Sequence, residues 1–547
     1  MKLVATSIAV LLSAVIGSFL AVSSGYAHEH SDPMQANTRL GTVSFAISCK
    51  PELQGDFNHA VALLHSFWHS EAQRALEAIV ASDPDCAMAY WGLAMSHLQF
   101  GLSWPSNTDL AAGRSALEQA RAATEQTPRE RAYIAALSAL YDEFKPDDSW
   151  KSFQKYADAL GQIGADYPSD VEAKVFRALV LILAQPPDDA NLVEMKQAVL
   201  ILTPLLRQYP DHPGIAHYLI HASDVPGMAQ GGLEAARHYA QIAPAAPHAL
   251  HMPSHIFARL GLWQEDIQSN LASKAAAEKA DAGAENRLHA MEFLEYAYLQ
   301  VGHDDEARAI MSEAKTISEA DVDPRFGDYY PFVQTRVRTI YAIEAKDWAT
   351  AARLEPTPGG DNNGRGLTLL AHAMAAGYLK DRALAADTLR ATEDFIKKRH
   401  KFKSLPRSGT PEAGFIDEIH AWKDFTDGNV TDAIQLLRPV ADREAKVGKG
   451  ELDLPVREML AEMLLLSGKP KEALQEYELS LKTDPNRFNA LLGAGEAAEQ
   501  VGRRDLAREY YRQLLNNCAG ATGPAVQALE HAKLLFASES SSASATQ

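Results

Sequence analysis

Three cysteines among 547 residues are too few for a disulfide scaffold. An oxidising compartment would permit one bridge, between Cys49 and Cys86, with Cys518 left over; equally, all three read as small buried hydrophobes. Clustered positive charge is missing too. The chain sets 52 Lys and Arg against 71 Asp and Glu, a formal net charge of -19, and contains no basic run. Neutralising phosphates needs grouped Lys and Arg, so no nucleic-acid partner is expected. Strand-like alternation is nearly absent, apart from Thr42 to Ile47. Past the first residues no stretch is apolar enough to span a bilayer. Finally, there is no Ser-His-Asp elbow, Gly-rich phosphate loop, HExxH or CxxCH, so no standard enzyme class is favoured.

What is present begins at the start of the chain. Met1-Lys2, the apolar run Leu3 to Val22, and the small-residue segment Ser23-Ser24-Gly25-Tyr26-Ala27 follow the order of a secretory signal. A membrane anchor is the competing reading of the same run. Cleavage after Ala27 gives an exported chain, periplasmic or secreted, with no stable membrane insertion. It would also leave His28-Glu29-His30 at the new terminus, where a free amine and imidazoles can chelate copper(II); a plain solvated terminus is the alternative.

The length exceeds one compact core, so several domains or a repeat array are expected. Near the C-terminus, Arg457 to Leu466 has helical apolar spacing, Gly468 breaks it, and a second helix carries Ala473 and Tyr477 before Asp484-Pro485; the pattern restarts through Gly502, Ala507 and Tyr511. This resembles the tetratricopeptide repeat, a helix pair of about 34 residues. Asp83-Pro84, Tyr167-Pro168 and Tyr209-Pro210 punctuate the chain upstream, and Gly261 and Gly302 mark helix-to-helix turns. The expected fold is an all-α solenoid of degenerate tetratricopeptide-like helix pairs. Its expected parts are a signal over 1–27, an N-terminal extension over 28–52, a solenoid with a His-rich concave site over 53–357, a partly helical connecting region over 358–414, C-terminal repeats over 415–536 and a disordered tail over 537–547.

Histidine is the commonest protein ligand for transition metals, and His217, His221, His248, His251, His255 and His289 share one phase of the repeat. His255, His251 and His248 lie six, ten and thirteen residues before Gly261; Glu292 and His289 lie ten and thirteen before Gly302. Residues at i, i+4 and i+7 stack on one helix face, and first helices of adjacent repeats lie about 8–10 Å apart. Ligands from neighbouring repeats can therefore converge on one divalent transition metal, zinc, copper or iron, with His217, His221, His251 and His255 the leading set. Asp224 and Glu292 are the candidates for further ligands, for orienting the histidines or for a general base. His65 and His69, one turn apart in the first repeat, join only if the solenoid curls back on itself.

Cys86-Ala87-Met88-Ala89-Tyr90-Trp91-Gly92, His217-Tyr218-Leu219-Ile220-His221-Ala222 and Pro247-His248-Ala249-Leu250-His251-Met252-Pro253-Ser254-His255-Ile256-Phe257 resemble a group of exported bacterial tetratricopeptide proteins. The resemblance implies the fold and supplies no reaction. Two functional classes stay open. One is a metal site, hydrolytic if a metal-bound water is activated there; the other is a scaffold without metal, whose concave groove grips an extended peptide or protein partner.

Overall fold

The computed structural model describes residues 39–99, 105–186, 189–280, 283–323, 326–327, 329–359, 362–399, 412–450 and 452–544. The proposed signal and the terminal His28-Glu29-His30 lie outside the described residues. No helix of the described chain is long and apolar enough to cross a membrane.

Every regular element among the described residues is helical, and the helices pair in sequence as an α-solenoid. Gln54–His65 packs with His69–Ser82, Pro213–Ser223 with Ala229–Ile242, and Val456–Leu466 with Pro470–Thr483. Local signals set the ends: Pro128 opens Pro128–Glu143 behind a capping box of Thr127 and Glu130. The turn at Gly261 has φ +63°, and a Cβ there would meet the Pro485 carbonyl at 2.2 Å, so glycine both reverses the chain and admits a distant repeat.

The expected partly helical connecting region holds a helix pair, Asn362–Leu379 and Arg382–Arg399. The last helix runs Gly523–Ser544, through most of the segment whose composition reads as a disordered tail; its Ala and Ser content is compatible with helix once Leu529 and Ala532 are buried against the preceding repeat.

Residues 42–47 do alternate, with Val43 and Phe45 buried, but they form no ladder. The polar atoms here pair with helices and a helix-to-helix turn: Thr42 N donates to the Asp211 carbonyl in the turn at 2.9 Å, Phe45 N to Asn58 Oδ1 at 3.1 Å, and the following Ser48 N to Glu130 Oε1 at 2.7 Å. Phe45 sits among Phe57, Trp91, Tyr133 and Phe176, at 5.1–6.4 Å between centroids, one ring from each of four first helices. The chain thus fills the groove of its own N-terminal repeats. Cys49 and Cys86 are bridged, Cα to Cα 4.8 Å across a separation of 37 residues, and tie this strap to the Ala87–His97 helix; Cys518 is free and buried. Replacing both bridged cysteines by Ser should cost roughly 3–4 kcal/mol from the loop released in the unfolded chain. A urea titration with and without reductant checks it: the wild-type midpoint falls under reductant, and the variant's does not move.

Distant repeats are also joined by buried polar groups. Arg487, 1% exposed, donates through Nε to Glu458 Oε2 at 2.7 Å, through Nη2 to Glu344 Oε1 at 2.7 Å, and through Nη1 to Tyr296 Oη. Trp263 Nε1 donates to the Asn486 carbonyl at 2.8 Å, and Thr522 N to the Gly302 carbonyl at 2.9 Å.

Candidate metal centre

The histidines come from three successive first helices: Pro213–Ser223, the interrupted pair Pro247–His251 and Pro253–Arg259, and Ala284–Gln300. The interruption matters most. Pro253 has no N–H to continue the ladder and sits one residue after Met252, where one helix gives way to the next. His248 meets His217 on the preceding helix, His251 lies 4.2 Å from His289 on the following one between ring centroids, and His255 reaches both, bonding Asp224 and lying 6.3 Å from His289. The expected vertical triple His248, His251 and His255 is corrected accordingly, as is the expectation that His217, His221, His251 and His255 share one ion. Two sets form instead: His217 with His221 and His248, and His251 with His255 and His289. In each, one nitrogen per ring lies within 4.8 Å of the other two.

In the first set, His217 Nε2 is 3.1 Å from His221 Nε2 and 3.2 Å from His248 Nε2. His217 Nδ1 donates to the His65 carbonyl at 2.6 Å, which leaves its Nε2 as a bare lone pair. Burial, followed by the His221 ring, holds the His217 pKa well below its usual value; burial, followed by His217, does the same for His248. These rings are neutral donors in the form a metal requires. Phe67 covers them, stacked on His248 at 5.4 Å and edge-on to His217 at 4.4 Å between centroids. Its φ of +52°, in the turn between two helices, turns the ring inward.

In the second set, His251 Nδ1 donates to Asn270 Oδ1 at 2.6 Å, an orientation fixed because Asn270 Nδ2 donates to Asp266 Oδ1 at 2.7 Å. His255 Nδ1 donates to Asp224 Oδ2 at 2.9 Å. Their Nε2 atoms face each other at 2.9 Å, a spacing met either by a proton shared between the two rings or by a cation that both ligate. His289 Nδ1 pairs with Tyr329 Oη at 2.8 Å, and Tyr329 donates to Glu292. Phe293 packs against all three rings, at 4.6–5.5 Å between centroids.

The two candidate bases are both engaged. Asp224 accepts from His255 and, at 2.8 Å, from Arg259 Nε, whose Nη2 reaches the Lys449 carbonyl at 2.6 Å. Burial pushes the Glu292 carboxyl up, but His289, Arg336 and Tyr329 together bring it below its usual value. Both orient imidazoles, as outer partners of metal-binding histidines do.

The solenoid curls enough to bring the first repeat in, though not its rings as ligands of these sets. His65 contributes its carbonyl, and His69 stacks on Phe67 at 5.5 Å. Behind them lies a third grouping, His65 with Glu172 and His212. Glu172 accepts from both Nε2 atoms at 2.9 Å, Tyr218 Oη meets His65 Nδ1 at 2.9 Å, and Ile215 N donates to His212 Nδ1 at 3.3 Å. Every nitrogen there is satisfied, and burial holds the His65 pKa low; the grouping is a brace. Gly214 permits it, since a Cβ there would lie 2.5 Å from His65 Nδ1. A fourth grouping, Cys49 with Asp83 and Cys86, has its two sulfurs spent on each other. Phe67, Phe293, Glu172, His212, Asn270, Arg259 and Tyr329 are site residues that sequence reasoning missed.

Fold and site together define an all-α solenoid with two three-histidine sets on the first helices of adjacent repeats. Residues 69–103 and 459–522 match the family model described as tetratricopeptide repeat. No curated protein matches the sequence. Among solved structures, the human IFIT1 dimer with m7Gppp-AAAA is similar at 12% identity and a TM-score of 0.34, over 79% of this chain and 90% of that one. A likeness of that size carries no argument about this site.

Proposed function

We propose that this chain is an exported metalloprotein whose two three-histidine sets hold transition-metal ions. The observation that carries the reading is the convergence of three imidazoles in each set, with one nitrogen per ring within 4.8 Å of the other two. In the first set, His217 is oriented by donating its Nδ1 proton to the His65 carbonyl. The proposed signal and the Cys49–Cys86 bridge support export, because such bridges persist in oxidising compartments. Hydrolysis by an activated water is the less favoured chemistry here, since Asp224 and Glu292 are both tied to the rings they orient.

A second reading, a scaffold for extended partners, is favoured by the two segments that match the tetratricopeptide repeat. It applies to the later repeats, because Phe45 and its strap occupy the N-terminal groove. Elemental mass spectrometry on exported, untagged protein separates the two. The metal reading expects about two ions per chain in the wild type, and at least a halving in His217→Ala/His221→Ala with the helical circular dichroism retained. No stoichiometric metal in the wild type, even after reconstitution, leaves the scaffold.

A further inference from the structure

We propose that the two sets form one binuclear copper centre whose substrate is dioxygen; this rests on the metal reading above and goes beyond it. Three features lead there. The grouped ligand atoms are all imidazole nitrogens, with no carboxylate among them, a donor set suited to zinc or copper and poor for hard cations. Charge then separates zinc from copper. His217, His248 and His251 are at most 7% exposed, and the nearest carboxylates are already paired, Asp224 with Arg259 and Glu292 with Arg336. Two zinc ions would add four positive charges beside those ion pairs, and two copper(I) ions only two.

The sets also lie side by side. His248 and His251 are 6.0 Å apart between ring centroids, and His221 and His255 are 6.1 Å apart. Ions seated in the two sets face each other across the span of one small bridging ligand. Phe67 on one side and Phe293 on the other place apolar rings against the two sets, which suits a small apolar molecule.

The step balances. Each copper(I) gives up one electron, dioxygen accepts both, and the product is peroxide bridging two copper(II) ions; the O–O bond persists as a single bond, and no proton or leaving group moves. The net charge of the centre is the same before and after, so the site meets no new charge.

The test uses the full exported protein carrying His28→Ala/His30→Ala, so that any copper counted is not held by imidazoles at the terminus. It is loaded with copper(I) without air and then exposed to dioxygen. Expected are about two coppers per chain, uptake of about one dioxygen per pair, a near-ultraviolet charge-transfer band, and an oxidised form silent in electron paramagnetic resonance through coupling. His289→Ala truncates a side chain that is one-third exposed (32%), so it should fold. It should keep the first copper, lose dioxygen uptake and show an isolated copper(II) signal. Copper bound without dioxygen uptake, two independent copper(II) signals in the unmutated centre, or uptake unchanged in His289→Ala overturns this inference and leaves the metal reading standing. Failure to bind copper, zinc or iron at all overturns both.

Discussion

Replacing Arg487 by Ala should destabilise the protein by about 3–5 kcal/mol, the usual cost of removing one partner from a buried ion pair. The guanidinium serves Glu344, Glu458 and Tyr296 at once, and every group in the cluster is almost fully buried. Burial pushes the Glu458 carboxyl up and Arg487 opposes that push, so without Arg487 the proton is taken up or the charge is stranded. The shape of the side chain contributes little, and a second variant shows this: Arg487→Met with Glu344→Gln and Glu458→Gln should recover most of the loss. Urea midpoints of the three proteins check it. A single Arg487→Ala variant as stable as the wild type would mean that the cluster contributes nothing to stability.

Glu172→Ala should cost a similar amount, about 3–5 kcal/mol, because it leaves two buried imidazole N–H groups without an acceptor. Glu172→Gln should cost much less. Its carbonyl can still accept from His212, and its amide can donate to His65 if that ring changes tautomer and donates from Nδ1 to Tyr218 instead. The two variants should also part at the metal centre. His65 presents the carbonyl that fixes the His217 tautomer, so Glu172→Ala should weaken metal retention on the first set, while Glu172→Gln keeps it. Denaturant titration and metal analysis read both effects; equal stability of the Ala and Gln forms contradicts the argument.

The helix pairs were legible in the sequence because apolar periodicity and turn glycines are local. Gly261, Gly302, Gly468 and Gly502 all have the left-handed backbone that their place in the pattern suggests. The six histidines were legible for the same reason, since a shared phase in successive repeats means a shared face. Their division was not. It follows from approaches between repeats, His248 to His217 and His251 to His289, which local periodicity does not carry. The aromatic walls and the brace were hidden for another reason. Phe67, Phe293 and Glu172 look like ordinary helix and turn residues, and only contacts over long sequence separations, 107 residues from His65 to Glu172, give them a role. The strap shows the limit of periodicity: alternation over 42–47 reports two differently solvated faces, and here the second face belongs to helices instead of a sheet.

A stack of repeats that touch only their neighbours unravels one unit at a time from either end. The bonds from Gly261 to Asn486 and from Gly302 to Thr522 remove that option at the C-terminal end, because they span 225 and 220 residues. The C-terminal repeats cannot fray without breaking contacts made by the central ones, so these two parts should melt together. The same bonds defer completion of the fold: the repeats that carry the histidines wait for the far end of the polypeptide, and long loop closure makes that last step slow.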